Sequence, residues 1–229
     1  MTYKELAEIL ENNIEKKLYT NGKLPTEDNI INEYKATRYC VRKAINLLIN
    51  NGMVYSVQGS GIFIRDNIIN TVDYINISHS SGFKRKHADK KVEYIIINLE
   101  VINIDKEIAK KMLLELNKEV YYIVRLIKVN GNFLAVEYTY YNKDIIHYLN
   151  KEIAEDSIFK YITEVLNLNI GFSDRIIYCD KIDSYNAKLL NLEENSPSLI
   201  TENINHLHNG EIFNFSKIVY NYLYTKLFI

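Results

Sequence analysis

The stretch from Leu24 to Arg65 admits very few folds. Thr26 and Thr37 each stand directly ahead of a short run with helical spacing of apolar residues, Ile30, Ile31 and Tyr34 after the first and Val41, Ala44, Ile45 and Leu48 after the second. A threonine hydroxyl in that place accepts from unpaired N–H groups of a first helical turn, so each marks a helix start. Lys35-Ala36 supplies the turn between the two helices, and Asn51-Gly52 supplies a left-handed stop after the second, near Asn50. Val54-Tyr55-Ser56-Val57 and Ile62-Phe63-Ile64-Arg65 then read as strands around Gln58-Gly59-Ser60-Gly61, a hairpin tip without bulky side chains. Upstream, Thr2 and Glu5 form a capping box, and Tyr3, Leu6, Ile9, Leu10, Ile14 and Leu18 keep helical spacing, which predicts a helix to about residue 18 stopped by Asn21-Gly22. Three helices and a hairpin make a winged helix. Its third helix can enter a major groove N-terminal end first, and the glycines let the wing backbone approach phosphates or a minor groove.

A chain of 229 residues suits two domains, of roughly 70 and 150 residues. The boundaries expected are 1–66 for the winged helix-turn-helix, 67–77 for a linker and 78–229 for the second domain. Apolar residues at 47% and charged residues at 25% fit a folded globular protein. Cys40 and Cys179 are far apart and in no metal-like spacing, which excludes a disulfide scaffold and suits a reducing cytosol. No apolar run approaches a membrane span, so a cytoplasmic protein without a membrane partner is expected. The formal net charge of −1 is uninformative, but its distribution is not. Residues 34–65 hold Lys35, Arg38, Arg42, Lys43 and Arg65 and no acid, whereas the acids of the first part lie in 5–33. Such a module is expected to turn one basic face to phosphates.

Leu24-Pro25-Thr26-Glu27, Ala36 to Ile45 and Asn51 to Ile64 together resemble the DNA-binding signature of the GntR superfamily in order, spacing and chemistry. The resemblance implies that Thr37 and Arg38 start the recognition helix, that Arg42 and Lys43 contact DNA, and that Gly59-Ser60-Gly61 is the wing tip. Thr26, Tyr39 and Gln58 complete the implied DNA-facing set. Asp28 departs from the pattern, which often has a DNA-contacting arginine there; an acid beside phosphate repels, so a different operator sequence is implied.

Beyond residue 78 the chain repeats itself. Ile104-Asp105-x-x-x-Ala109, with Met112 and Leu116, precedes a strand, Asn130-Gly131 and another strand; Ile182-Asp183-x-x-x-Ala187, with Leu190, precedes a strand, Asn209-Gly210 and another strand. Asp105 and Asp183 are natural helix caps, and Asn-Gly is a strong hairpin signal. Between the copies, Ser157 caps a helix bearing Ile158, Phe159, Ile162 and Val165. The unit strand, helix, hairpin used twice predicts an antiparallel sheet with helices packed against it, an α+β domain.

Glu155 to Ile162 and Asn195-Ser196-Pro197-Ser198-Leu199 resemble the UTRA effector domain of the HutC branch, which has a chorismate-lyase-like fold. That resemblance implies a pocket for a small metabolite, often a phosphorylated sugar or an amino-acid-related acid, whose binding moves paired DNA heads. It implies an anion-binding role for Arg125, ligand contact for Glu137, closure of the site by Tyr220, and a capping loop around Ser80, Ser81 and Phe83. Ile127, Asn214 and Asn221 depart from frequent charged positions, which leaves the ligand class open. Arg125 and Glu137 can share a ligand only if they stand on one face of the sheet. A two-residue loop at Asn130-Gly131 would set them on opposite faces, whereas a three-residue loop, Asn130-Gly131-Asn132, sets them opposite one another, with Tyr220 reaching the same cavity. The three-residue register is the one expected.

The sum is a ligand-responsive transcriptional regulator, expected to repress, that binds an inverted-repeat operator as a homodimer through residues 78–229. The competing classes are an enzyme on a lyase-like fold and an architectural DNA-docking protein. No catalytic constellation with a recognisable local motif supports the first, and the recognition-helix sequence speaks against the second. No cofactor is implied. Lys84-Arg85-Lys86 reads as a solvated run, and His206-x-His208 puts two imidazoles on one strand face with no third ligand, too few for a metal site.

Overall fold

The computed structural model describes residues 1–19, 21–65, 75–76 and 91–228. The chain separates into two compact units, Met1–Asp73 and Tyr74–Ile229.

In the first unit, α1 (Tyr3–Glu15) begins with the capping box: Thr2 Oγ1 accepts from the Glu5 N–H at 3.3 Å, and the Glu5 carboxylate accepts from the Thr2 N–H at 2.8 Å. The helix ends sooner than its apolar spacing suggests. Lys17 turns left-handed (φ 54°) and the Leu18 N–H reaches back to the Asn13 carbonyl at 3.0 Å, so Leu18 is 60% exposed rather than packed. A lysine tolerates the left-handed stop here, and the glycine at 22 is not what ends the helix. Next come α2 (Glu27–Tyr34), left through Lys35 at φ 50°, and α3 (Arg38–Asn50), capped by Thr37, whose hydroxyl accepts from the Cys40 N–H at 3.2 Å. Cys40, Val41, Ala44, Ile45 and Leu48 form the buried stripe of α3, in one cluster with Leu6, Ala7 and Leu10 of α1 and Ile30 of α2. Gly52 makes the left-handed exit at φ 67°. The hairpin pairs β1 (Val54–Val57) with β2 (Gly61–Ile64), so its loop is the three residues 58–60.

The second unit holds a six-stranded antiparallel sheet. Its strands β4 (Val92–Asn103), β5 (Glu119–Val129), β6 (Asn132–Asn142), β7 (Ile170–Lys181), β8 (Pro197–Leu207) and β9 (Ile212–Asn221) lie in the order β4-β5-β6-β9-β8-β7. A short parallel pair, β3 (Ile75–Asn76) with β10 (Leu227–Phe228), stands apart from it. The order is that of a duplicated unit, each copy a strand, a helix and a hairpin, joined in the middle by β6 and β9. The copies repeat down to single hydrogen bonds. Asp105 caps α4 (Lys106–Met112) and Asp183 caps α7 (Ser184–Leu190), each accepting from the N–H three residues on, at 2.9 and 2.8 Å. Leu113 and Asn191 both turn left-handed, and the N–H groups of Leu114 and Leu192 return to the carbonyls of Ala109 and Ala187. Leu116 therefore lies beyond α4, exposed.

Helices α4 and α7 cover one face, with Ile104, Met112 and Phe215 packed under the first and Ile182, Leu190, Ile200 and Val219 under the second. The opposite face carries Tyr121, Ile123, Tyr141 and Phe213, packed with residues of α5 (Lys151–Glu155), α6 (Ile158–Lys160) and the π-helical turn Tyr161–Val165 that continues it. Ser157 caps α6 as expected, but Val165 points away from the core.

The first hairpin corrects its expected loop. Val129 pairs with Asn132, so the loop is the two residues Asn130 (φ 50°) and Gly131 (φ 86°), both left-handed as a tight two-residue turn requires. A bulge follows, because Lys128 pairs with Phe133 while Ile127 pairs with Ala135, leaving Leu134 as the extra residue. That one residue restores Arg125 to a position directly across from Glu137. The second hairpin carries the matching bulge, with Asn205 opposite Asn214 and His206 opposite Ile212, so Phe213 is the counterpart of Leu134. Leu134 and Phe213 are both buried.

Candidate nucleic-acid interface and ligand site

Capping by Thr37 fixes the N-terminal end of α3, and the buried stripe fixes its rotation. Arg38, Tyr39, Arg42 and Lys43 are consequently exposed on the side away from the core, with Tyr39 at 68%. The Lys43 ammonium lies 5.7 Å from the Tyr39 ring. The wing tip is also open: Gln58, Gly59, Ser60 and Gly61 are all exposed, and Gly59 and Gly61 hold φ of 75° and 113°. Thr26 is exposed, with its hydroxyl accepting from the Asn29 N–H at 3.3 Å. Lys23, not singled out from sequence, has its ammonium 4.4 Å over the Phe63 ring and donates to the Ser60 carbonyl at 3.4 Å, adding a cation beside the wing.

The basic face is not acid-free in space, although it is in sequence. The Asp28 carboxylate accepts from Arg38 Nη2 at 2.7 Å, and Glu27 accepts from Arg42 Nε at 3.0 Å. Two acids of the first turn of α2 thus meet two arginines of α3. The turn at Lys35-Ala36 makes this possible by folding one helix start beside the next.

On the second unit, Arg125 and Glu137 share one face and form an ion pair, with Nε to Oε2 at 2.7 Å and Nη2 to Oε2 at 2.5 Å. Arg125 Nη1 also donates to the carbonyls of Ala154 (3.1 Å) and Asp156 (3.5 Å), and the guanidinium lies 4.3 Å from the Tyr94 ring centre. Burial opposes the charge of Arg125, but the Glu137 carboxylate and the neighbouring Tyr141 and Tyr94 more than offset it and hold its pKa above the ordinary value. Tyr220 stands on the same face, buried among Tyr94, Ile127 and Ala135. Burial pushes its pKa up to about 12 despite a hydrogen bond with Thr201.

Of the departing positions, Ile127 is core. Asn214 joins a buried chain: Asn205 Nδ2 donates to Asn214 Oδ1 at 2.6 Å, and Asn214 Nδ2 donates to Thr139 Oγ1 at 2.6 Å and to the Tyr140 carbonyl at 3.0 Å. Asn221 ties β9 to the carbonyls of Phe133 and Leu190. Arg175 of β7, not singled out from sequence, donates from Nε to Asn203 Oδ1, and Asn203 in turn donates to Ser216 at 3.2 Å. Burial lowers the Arg175 pKa. Ser80, Ser81 and Phe83, expected over this face, and the Lys84-Arg85-Lys86 run lie outside the described residues.

His206 and His208 do not act together. His206 is buried, 3.0 Å from the Asp174 carboxylate and stacked on Phe172 with ring centres 4.3 Å apart, whereas His208 is exposed at the turn. Among the described residues no group of three His, Cys, Asp or Glu could hold a metal, and no helix is long and apolar enough to cross a membrane. A groove of about 610 Å³ opens on the other face of the sheet, between α4 and α7, lined among others by Lys111, Tyr138, Asn186, Glu202 and Lys217. None of the residues expected from sequence to contact DNA or effector lines it.

Comparison with known families matches residues 2–64 to "Bacterial regulatory proteins, gntR family" and residues 87–224 to the "UTRA domain". The chain is 36% identical over 223 residues to the HTH-type transcriptional regulator YydK of Bacillus subtilis, covering 97% of this chain and 94% of that protein. A crystal structure of YydK from the same organism superposes with a TM-score of 0.89 at 33% identity and covers 98% of both chains. The mannosyl-D-glycerate transport/metabolism system repressor MngR of Escherichia coli is 24% identical over 220 residues, covering 96% of this chain and 91% of that protein.

Proposed function

This chain belongs to the GntR family of bacterial transcriptional regulators, with a UTRA domain as its second unit, and we propose that it represses transcription by binding an inverted-repeat operator as a homodimer. Its relatives are regulators rather than enzymes, and MngR is a repressor by name. The observation that carries the DNA-binding reading is the exposed side of α3: four residues, Arg38, Tyr39, Arg42 and Lys43, stand clear of the core at the capped N-terminal end of a helix beside a glycine-tipped wing. Such a helix end fits a major groove. A single winged helix covers little DNA, so a two-fold pair reading two half-sites supplies the selectivity, and residues 78–229 hold the pair together.

The effector is a small metabolite received on the sheet face of Arg125, Glu137 and Tyr220, with the segment of Ser80, Ser81 and Phe83 as its cover. An anionic group of that metabolite meets Arg125, the anion-binding position that the family resemblance implies.

Footprinting of the purified chain on DNA upstream of its own gene tests the proposal. Two protected half-sites related by a two-fold are expected, together with a dimer by sedimentation. Arg38→Ala and Arg42→Ala should each weaken operator binding, by about 1–3 kcal/mol where a base contact is lost. A sedimenting monomer that tightly protects one half-site would overturn the dimer, and unchanged affinity in both variants would overturn the contact assignment.

A further inference from the structure

The pairing of α2 acids with α3 arginines treats the two arginines differently. Glu27 holds Arg42 through Nε alone at 3.0 Å, which leaves its outer two nitrogens for a base edge. Asp28 holds Arg38 by the outer nitrogen Nη2 at 2.7 Å, and Glu27 lies 3.8 Å from Nη1. Arg38 must give up or share that bond before it can offer its fork to a phosphate or a guanine.

Both members of the Arg38–Asp28 pair are more than half exposed. An exposed pair of this kind is weak, so a better-placed acceptor can displace it. A carboxylate held against the basic face also cancels one charge that would otherwise act on any phosphate, whatever the sequence.

We propose that Asp28 is a specificity-determining residue that acts through Arg38. On DNA lacking the operator bases, Arg38 stays on Asp28 and adds no phosphate contact. On the operator, a base edge presented to α3 outcompetes the carboxylate and Arg38 engages. The proposal rests on the reading of α3 as the recognition helix.

Asp28→Asn keeps the shape and removes the charge. Binding of the full-length variant to an operator duplex and to a scrambled duplex, over a range of salt concentrations, is expected to show tighter scrambled binding, by about two- to fivefold, with operator affinity changed less. The ratio of the two affinities therefore falls. The slope of log affinity against log salt on scrambled DNA should steepen by about 0.9, the signature of one added phosphate contact. Asp28→Glu should restore the wild-type ratio, since the carboxylate still reaches.

Removing any acid near DNA raises affinity through the general field, so the deciding measurement is the same substitution in an Arg38→Ala background. If Asp28 acts through Arg38, its effect on the ratio and slope disappears there. An equal effect in both backgrounds, or an unchanged ratio in the single variant, overturns the proposal while leaving α3 as the recognition helix. Unchanged operator binding in Arg38→Ala and Arg42→Ala alike would instead sink the underlying reading.

Discussion

Glu137→Gln asks whether the Arg125–Glu137 pair is scaffold or ligand site. The side chains are 6% and 12% exposed and meet at 2.5 and 2.7 Å, so the carboxylate is the charge that makes burial of the guanidinium tolerable. Breaking a buried pair from one side costs about 3–5 kcal/mol, because the remaining charge has lost its partner. The Ala154 and Asp156 carbonyls still accept from Arg125, and a glutamine oxygen can accept too, so the lower end is expected, about 3 kcal/mol. For a chain of this size that lowers the melting temperature by about 6–12 °C. Thermal melts of the full chain followed by circular dichroism read it directly. Replacing both partners, Arg125→Met with Glu137→Leu, should recover most of the loss, since well-packed apolar groups often substitute for a buried pair. A Glu137→Gln variant that melts within about 1 °C of wild type, less than the shift for 1 kcal/mol, would refute the scaffold reading. Glu137 would then be held for the ligand, and the loss should appear in effector response instead.

Three further outcomes follow from single contacts. Asp183→Ala should cost about 1 kcal/mol, the usual value of a helix cap. Burial opposes ionisation of Asp183, but the N–H groups and amide of Asn186 and its neighbours hold its pKa below the ordinary carboxylate value; its contribution is therefore complete above that ordinary value and fades as pH falls through the lowered one, so Asp183→Asn should keep the cap and flatten the acid side of a stability-pH curve. Asn214→Leu strands Asn205 Nδ2, and urea titration should show a loss of about 1–3 kcal/mol with an unchanged slope. Gly61→Ala forces an L side chain onto φ 113° at the wing; operator affinity by gel shift should fall while α-helical content by circular dichroism stays the same, and unchanged affinity would dissociate the wing tip from DNA.

What was legible in the sequence was local. Thr2, Thr26, Thr37, Asp105, Ser157 and Asp183 each cap the helix their spacing announced, because a cap is written by one side chain and the N–H two or three residues on. Helix ends were less legible. Lys17 and Leu113 take left-handed stops without glycine, so the apolar periodicity ran on past them to Leu18 and Leu116. The loop at Asn130-Gly131 is one residue shorter than expected because the requirement that Arg125 face Glu137 can be met in two ways, and a bulge at Leu134 has no sequence signature. The pairing of Glu27 and Asp28 with α3 was invisible for another reason: a charge count along the chain cannot see two helix starts folded side by side.

The duplication bears on the face proposed to receive the effector. Scaffold features recur in both halves: the two aspartate caps, the two Asn-Gly turns, the buried bulge residues Leu134 and Phe213, and Asn142 with Asn221, each of which accepts through Oδ1 from the N–H two residues on at 3.0 Å. The copies diverge on the face away from α4 and α7. Arg125 across from Glu137 in the first half corresponds to Asn203 across from Ser216 in the second, and the charged pair becomes a neutral one at 3.2 Å. A fold built from two equal halves would offer a ligand two equal sites about its central strands, β6 and β9. Here one half carries an ion pair, while the other sets Arg175, Asn203 and Ser216 across three neighbouring strands, each hydrogen-bonded to the next. Breaking the symmetry there, while keeping it in the aspartate caps and Asn-Gly turns, makes the two halves of that face chemically unequal, so a small molecule bound there as proposed would meet different groups in its two orientations.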